Sequence, residues 1–241
     1  MDHVFGPVPS RRLGRSLGVN LCPREQRVCD RDCVYCPLAG RKSGSAGVPH
    51  WPTPAEVRGA MSQALAGVGS LDSITISGDG EPTLHPHLGA VVAEVLGAAR
   101  STHPEVPVRI LSNGSGAVRP VERRALSCLD ECILKLDAAP ERVALPAEGT
   151  SLEAIAEAYG HLDDLTLQAC FVEGAVSNVE DEAVIPWLDL VAAIRPRAVQ
   201  VYTIDRAGWV EGVGPAAPER LREIGEEVRR RTGAAVQVTD R

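Results

Sequence analysis

Apolar, strand-like runs alternate with helix-like stretches along almost all of this 241-residue chain, and nothing else in it restricts the fold as strongly. The strand-like runs are Leu17–Cys22, Ser73–Ser77, Val108–Ser112, Cys132–Asp137, Leu165–Val172 and Ala198–Ile204. Between them lie the helical stretches Pro54–Ala66, Leu88–Ala99, Val118–Cys128, Leu152–Tyr159 and Asp181–Ile194. Strand, helix, strand in this order makes right-handed parallel crossovers. Thr53-Pro54-Ala55-Glu56 supplies an N-cap, a proline at the first helical position and an early acid. A charged amphipathic stretch, Pro218–Arg231, and a short run, Ala234–Val238, follow the sixth strand.

Six such units are too few for a closed eight-stranded barrel but enough for a partial barrel or a doubly wound sheet. The pattern within the strands chooses between them. In Ser73-Ile-Thr-Ile-Ser, polar side chains alternate with isoleucines. Lys135 and Asp137 share one face of their run, Gln168 and Cys170 one face of the next, and Gln200 and Tyr202 one face of the last. Strands covered by helices on both faces read as nearly continuous apolar runs; here one face is repeatedly polar. The expected fold is therefore α/β: a partial parallel (β/α)6 barrel, or incomplete TIM barrel, with a polar lumen. A single domain over 1–241 is expected, with its core at about 17–204 and a short helix–strand extension at about 205–241. The glycine-rich stretch Gly40–Gly47 is too short to separate domains.

No apolar run is long enough to span a bilayer, and the N-terminus lacks a signal-peptide layout, so a soluble, cytoplasmic protein with no membrane partner is expected. The net charge of −7 gives no support to a general nucleic-acid surface. Arg11, Arg12 and Arg15 form a local basic stretch that reads either as a grip for phosphate or carboxylate or as a solvated turn. Seven cysteines suit a disulfide framework poorly.

Three of those cysteines, Cys29, Cys33 and Cys36, stand on one short run, Cys-Asp-Arg-Asp-Cys-Val-Tyr-Cys. Three thiolates so spaced can hold three corners of a cubane iron–sulfur cluster and leave one iron open. A zinc site with His50 as fourth ligand is the alternative, but it leaves the next motif unexplained. In parallel folds active residues collect at the C-terminal ends of strands. The second strand ends in Ser77-Gly-Asp-Gly-Glu-Pro, where Gly78 and Gly80 let the backbone approach a ligand and Glu81 offers a carboxylate to an ammonium group. The third ends in Ser112 and Asn113, the fourth in Lys135 and Asp137. Together these groups suit a zwitterion with a sugar attached. Cys22, Cys128, Cys132 and Cys170 share no short loop and read as ordinary thiols. His85 and His87 read as capping groups, and Asp30 and Asp32 as loop-shaping residues.

On these residues the chain resembles the radical S-adenosylmethionine (SAM) enzymes. Cys29, Cys33 and Cys36 are similar to that family's cysteine triplet, with Tyr35 as the aromatic before its last member, and Gly78-Asp-Gly-Glu81-Pro to its glycine–glutamate element. The opening, Phe5 to Val19, resembles a subgroup described as similar to wyosine-forming tRNA enzymes. The resemblance implies a 4Fe-4S cluster on the three cysteines. It implies SAM contacts from Tyr35, Gly78, Asp79, Gly80, Glu81, Ser112, Asn113, Lys135 and Asp137, the last pair in reversed order relative to an Asp-x-Lys pair. Reductive cleavage of SAM would follow, fed by a one-electron donor of flavodoxin or ferredoxin type. The substrate is open: a small molecule, a protein or an RNA, with Arg11, Arg12, Gln168, Tyr202 and Arg206 as candidate contacts and no catalytic residue assigned. An iron–sulfur electron-transfer protein without catalysis is the reading from another class.

Overall fold

A computed structural model describes residues 3–38, 48–145, 151–205 and 210–240. In chain order the elements are β1 (Val4–Ser10), β2 (Gly14–Val19), β3 (Asp32–Cys33), α1 (Pro54–Leu65), β4 (Ser73–Ile76), α2 (Leu88–Thr102), β5 (Val108–Ser112), α3 (Pro120–Leu126) and β6 (Glu131–Lys135). They continue with α4 (Pro140–Val143), β7 (Ala144–Leu145), α5 (Leu152–Tyr159), β8 (Leu165–Gly174), α6 (Asp181–Ile194), β9 (Ala198–Thr203), β10 (Val213–Pro215), α7 (Pro218–Thr232) and β11 (Ala235–Thr239). All six expected strands and all six expected helices are present, several with identical ends. The contacts divide the chain into two compact units, one of residues 1–29, 41–112 and 116–132, the other of 30–40, 113–115 and 133–241.

In the first unit the strand order is β1-β2-β4-β5. β2 and β4 run parallel with Ser16 opposite Ser73 and Val19 opposite Ile76, and β4 and β5 parallel with Ile74 opposite Val108. Leu17, Val19, Ile74 and Ile76 are buried, as are Val57 and Met61 of α1 and Val91, Val92 and Val95 of α2. The alternate side chains include a buried hydroxyl chain, in which Thr75 Oγ1 lies 2.7 Å from Ser16 Oγ and 2.9 Å from Ser73 Oγ. α1 starts at a full capping box: Glu56 N donates to Thr53 Oγ1 and Thr53 N donates to Glu56 Oε2 at 2.7 Å. The bonds from Thr53 hold the Glu56 carboxyl down at about 2.

β1, which no apolar run in the sequence marks, pairs antiparallel with β2, Val4 opposite Val19 and Ser10 opposite Gly14. Pro7 and Pro9 disguise it, because proline is tolerated on an edge strand where no ladder bond is needed. Its Phe5 ring lies over Gly18, where an added Cβ would come within 2.2 Å of the ring.

In the second unit the order is β6-β8-β9-β11, with β10 antiparallel to β8. Gln168 stands opposite Gln200 and Cys170 opposite Tyr202, so the polar face read from alternation is continuous from β8 to β9. The Gln168 amide donates to Gln200 Oε1 at 2.9 Å. On the other side, Trp187 of α6 donates its indole N–H to Leu136 O at 2.8 Å and meets Phe171 edge-on. Fully buried Asn178 donates to Ala138 O and Cys170 O and accepts from Val172 N, tying β8 to the segment that follows β6. In the first unit, α3 starts at Pro120, two residues later than expected, because proline favours the first helical turn. β8 runs two residues further than expected, to Gly174, where it meets β10. Among the described residues no helix is long and apolar enough to cross a membrane.

Candidate functional site

The first unit carries the glycine–glutamate loop that follows β4. Gly78 is required because a Cβ there would meet the Asn20 side chain at 2.1 Å, and Gly80 because one would meet the Val28 carbonyl oxygen at 2.1 Å. Glu81 N donates to that same Val28 oxygen at 2.8 Å. Asp79 is tied to Asn20 by the Asn20 amide at 3.1 Å and by its own backbone N–H at 3.3 Å. Phe5, Asn20, Arg24, Ser77, Gly78 and Asp79 line a cavity of about 400 Å³. Glu81 is only 2% exposed. Its Oε1 accepts from Thr83 N at 2.9 Å, Thr83 Oγ1 at 2.6 Å and Ser112 Oγ at 2.6 Å, which caps the short 3-10 turn Pro82–Leu84. Glu81 and Ser112, separate motifs in the sequence, are thus one hydrogen-bonded group. Cys29 is half-buried and in no disulfide, while Cys22 is buried and its thiol is pushed up by that burial and by Glu81. Arg11 and Arg12 sit in the turn joining β1 to β2, where Arg12 N donates to Ser10 Oγ.

The second unit carries the rest of the cysteine loop. β3 pairs antiparallel with β7, Cys33 opposite Ala144, and Val34 N donates to Val143 O at 2.9 Å. Cys36 N donates to Cys33 O at 3.0 Å, closing a turn that leaves both thiols half-buried and free. Burial pushes the Cys33 thiol up to about 11. The Tyr35 hydroxyl donates to Asp137 Oδ2. Lys135 Nζ lies 2.6 Å from the Tyr202 hydroxyl and 3.4 Å from Asp137 Oδ1, and 4.4 and 4.7 Å from the centres of the Tyr35 and Tyr202 rings. Burial works against the Lys135 charge, but Asp137 and Tyr202 outweigh it and hold the ammonium above its ordinary range. Tyr35 is raised by burial and then by Asp137. Asp137 also accepts from Cys170 N at 2.7 Å.

Asn113 donates to Asp30 Oδ1 at 2.6 Å and accepts from Ser115 N at 2.8 Å, so Asp30 shapes the loop through a side chain rather than the backbone. At Gly114, φ is +82° and a Cβ would fall 1.5 Å from the Tyr159 hydroxyl, which donates to Lys135 O at 2.9 Å. Thr83, Asn20 and Tyr159 hold the motif residues but gave no signal in the sequence, since each acts on a partner distant along the chain or through a local cap. Asp205 is exposed, and Arg206 lies outside the described residues.

His50 is exposed and pairs with Glu56 at 3.3 Å. Buried His85 lies 2.9 Å from Pro52 O through Nε2 and accepts from His87 N through Nδ1, a capping arrangement as expected. Among the described residues no group of three His, Cys, Asp or Glu side chains is gathered to hold a metal ion. The chemistry of the cysteine run nonetheless suits an iron–sulfur group: three soft sulfur donors, none in a disulfide and all partly exposed.

No family model matches the chain. Among solved structures, SuiB of Streptococcus suis bound to S-adenosylmethionine superposes with a TM-score of 0.64 at 15% identity, over 92% of this chain and 50% of that one. The fold is thus the α/β partial parallel barrel shared with SuiB, as expected from the sequence. Two curated relatives are UPF0026 proteins. That of Helicobacter pylori strain J99 is 32% identical over 84% of this chain and 66% of its own length; that of Synechocystis is 30% identical over 82% and 74%. The chain belongs to the UPF0026 family. It spans just under two thirds of the Helicobacter pylori J99 protein's length.

Proposed function

We propose that this chain is a radical SAM enzyme: Cys29, Cys33 and Cys36 hold a 4Fe-4S cluster, and SAM bound beside it is cleaved reductively to act on a substrate. The observation that carries the reading is the cysteine triplet, three partly exposed thiols on one short run of sequence with none in a disulfide, within a fold matching SAM-bound SuiB over 92% of the chain. When bound and reduced, the cluster supplies the electron that breaks a carbon–sulfur bond of SAM, giving methionine and a 5′-deoxyadenosyl radical; the cofactors carry that chemistry.

The chain's own part is binding and orientation. Gly78 and Gly80 let Asn20 and the Val28 carbonyl pack directly against the loop and so fix its path, and the Asp79 carboxylate on the cavity wall offers an acceptor to the SAM ammonium. Glu81 fixes that loop from beneath through Thr83 and Ser112, so its carboxylate orients the backbone presented to the ligand. Asn113 is held by Asp30 and Ser115 and serves the sugar end of SAM. Gln168 and Tyr202 serve the substrate side from β8 and β9, with Arg11, Arg12 and Arg206 as further contacts. The reductant is a flavodoxin- or ferredoxin-type protein acting in the cytoplasm. Modification of tRNA and generation of a protein radical are the two substrate classes carried forward.

SAM titrated calorimetrically into the anaerobically reconstituted chain tests the proposal. Saturable one-site binding that weakens at least tenfold in Asp79→Ala is expected. No binding by the loaded wild-type protein would leave an electron carrier, which has no use for SAM, as the better reading.

A further inference from the structure

Lys135 and Asp137 carry more contacts inside the protein than a ligand-binding pair would have to spare. An ammonium group has three donors. In this chain they face the Tyr202 hydroxyl at 2.6 Å, Asp137 Oδ1 at 3.4 Å and the Tyr35 ring, with its centroid 4.4 Å away. A cation hydrogen-bonded to the Tyr202 hydroxyl and lying against the Tyr35 ring in a largely buried setting is a strongly held group. Asp137 is equally committed, accepting from Cys170 N and Lys135 on one oxygen and from the Tyr35 hydroxyl on the other. Tyr35 belongs to the cysteine loop, and the same loop is fastened twice more, by Cys33 opposite Ala144 and by Val34 N on Val143 O. Cys33, Val34 and Tyr35 also pack on a buried cluster of Val143, Ala144, Cys170 and Val172.

We propose that Lys135, Asp137 and Tyr202 are positioning residues that latch Tyr35, and with it Cys33 and Cys36, onto β6, β8 and β9, rather than direct contacts of SAM. The inference rests on the proposed cluster only for its purpose, namely that two of the three sulfurs are set in place before iron arrives. Lys135 fixes the Tyr35 ring by its charge, Asp137 fixes the hydroxyl, and the Tyr202 hydroxyl holds Lys135. The latch joins residues 102 positions apart.

Hydrogen exchange on the full-length chain, before and after reconstitution with iron and sulfide, tests this. In the metal-free chain, Lys135→Met, Tyr35→Phe and Tyr202→Phe should each speed exchange of the Val34 and Cys36 amides by about tenfold, the effect of losing one net hydrogen bond. Amides of β2 and β4 should be unchanged, which separates loop release from unfolding, and Tyr202→Phe is mild enough to fold if Lys135→Met is not. Lys135→Arg, which keeps the charge beside the Tyr35 ring, should restore at least half of the protection. After reconstitution, Lys135→Met should bind SAM within threefold of wild type per cluster loaded. Unchanged exchange at Val34 and Cys36 in all three variants would overturn the latch, as would normal loop exchange with a tenfold or greater loss of SAM affinity in Lys135→Met. Because the first readout needs no cluster, failure of the latch and failure of the cluster assignment are told apart.

Discussion

Removing the Glu81 carboxylate should destabilise the fold itself, before any ligand is considered. One oxygen of Glu81 accepts three hydrogen bonds, from Thr83 N, Thr83 Oγ1 and Ser112 Oγ, at 2.6–2.9 Å. Both partner residues are buried, Thr83 fully and Ser112 to within 5%. A hydrogen bond to a charged acceptor contributes about 1.5–3 kcal/mol, and a buried donor left unpaired costs a comparable amount. The three bonds converge on one atom and relax together, so their sum overstates the loss; about 3–4 kcal/mol is expected for Glu81→Ala. For a chain of this length that is roughly 6–16 °C in Tm. Glu81→Gln keeps an acceptor oxygen and should cost about 1–2 kcal/mol. Urea unfolding of the metal-free chain measures both, the loss appearing as a lower midpoint at unchanged slope. A Glu81→Ala chain within about 1 kcal/mol of wild type would refute the reasoning, since the carboxylate would then be held for a ligand alone.

Gly18→Ala should cost about 1–3 kcal/mol, because the new methyl lands 2.2 Å from the Phe5 ring, and adding Phe5→Ala should recover much of it in a double-mutant cycle. Asn178→Ala should cost about 2–4 kcal/mol in the same unfolding assay, leaving Ala138 O, Cys170 O and Val172 N without their buried partner. Glu56 is held down at about 2 by Thr53, so its capping contribution is complete above the ordinary carboxylate value of 4.5 and is lost as pH falls from there through about 2. Thermal melts of wild type and Thr53→Ala should therefore differ at pH 6 and converge toward pH 2; an equal difference at both would refute that assignment.

The fold was largely legible in the sequence because its strands announce themselves twice, by apolar runs and by polar residues on every second position. Val108–Ser112, Leu152–Tyr159 and Asp181–Ile194 end where periodicity and capping place them. β1 escaped notice because Gly6, Pro7 and Pro9 are breakers except on a sheet edge. In the candidate site, the residue types were readable but their partnerships were not. Nothing local tells that Glu81 reaches Ser112, 31 positions on, or that Asn113 reaches back to Asp30, 83 positions away. Lys135 and Asp137 show the consequence: two charged residues on one face of a strand read as ligand groups, and only tertiary contacts reveal how fully Tyr35 and Tyr202 engage them.

Iron content and SAM cleavage measured together on wild type and on a Cys29→Ala, Cys33→Ala, Cys36→Ala variant test the central claim most directly. The wild-type chain, reconstituted without oxygen and reduced with dithionite, should carry about four irons per chain and release methionine and 5′-deoxyadenosine from SAM. The variant should carry none and release neither. SAM cleavage surviving in the triple variant, or a wild-type chain that takes up no iron, would contradict the account.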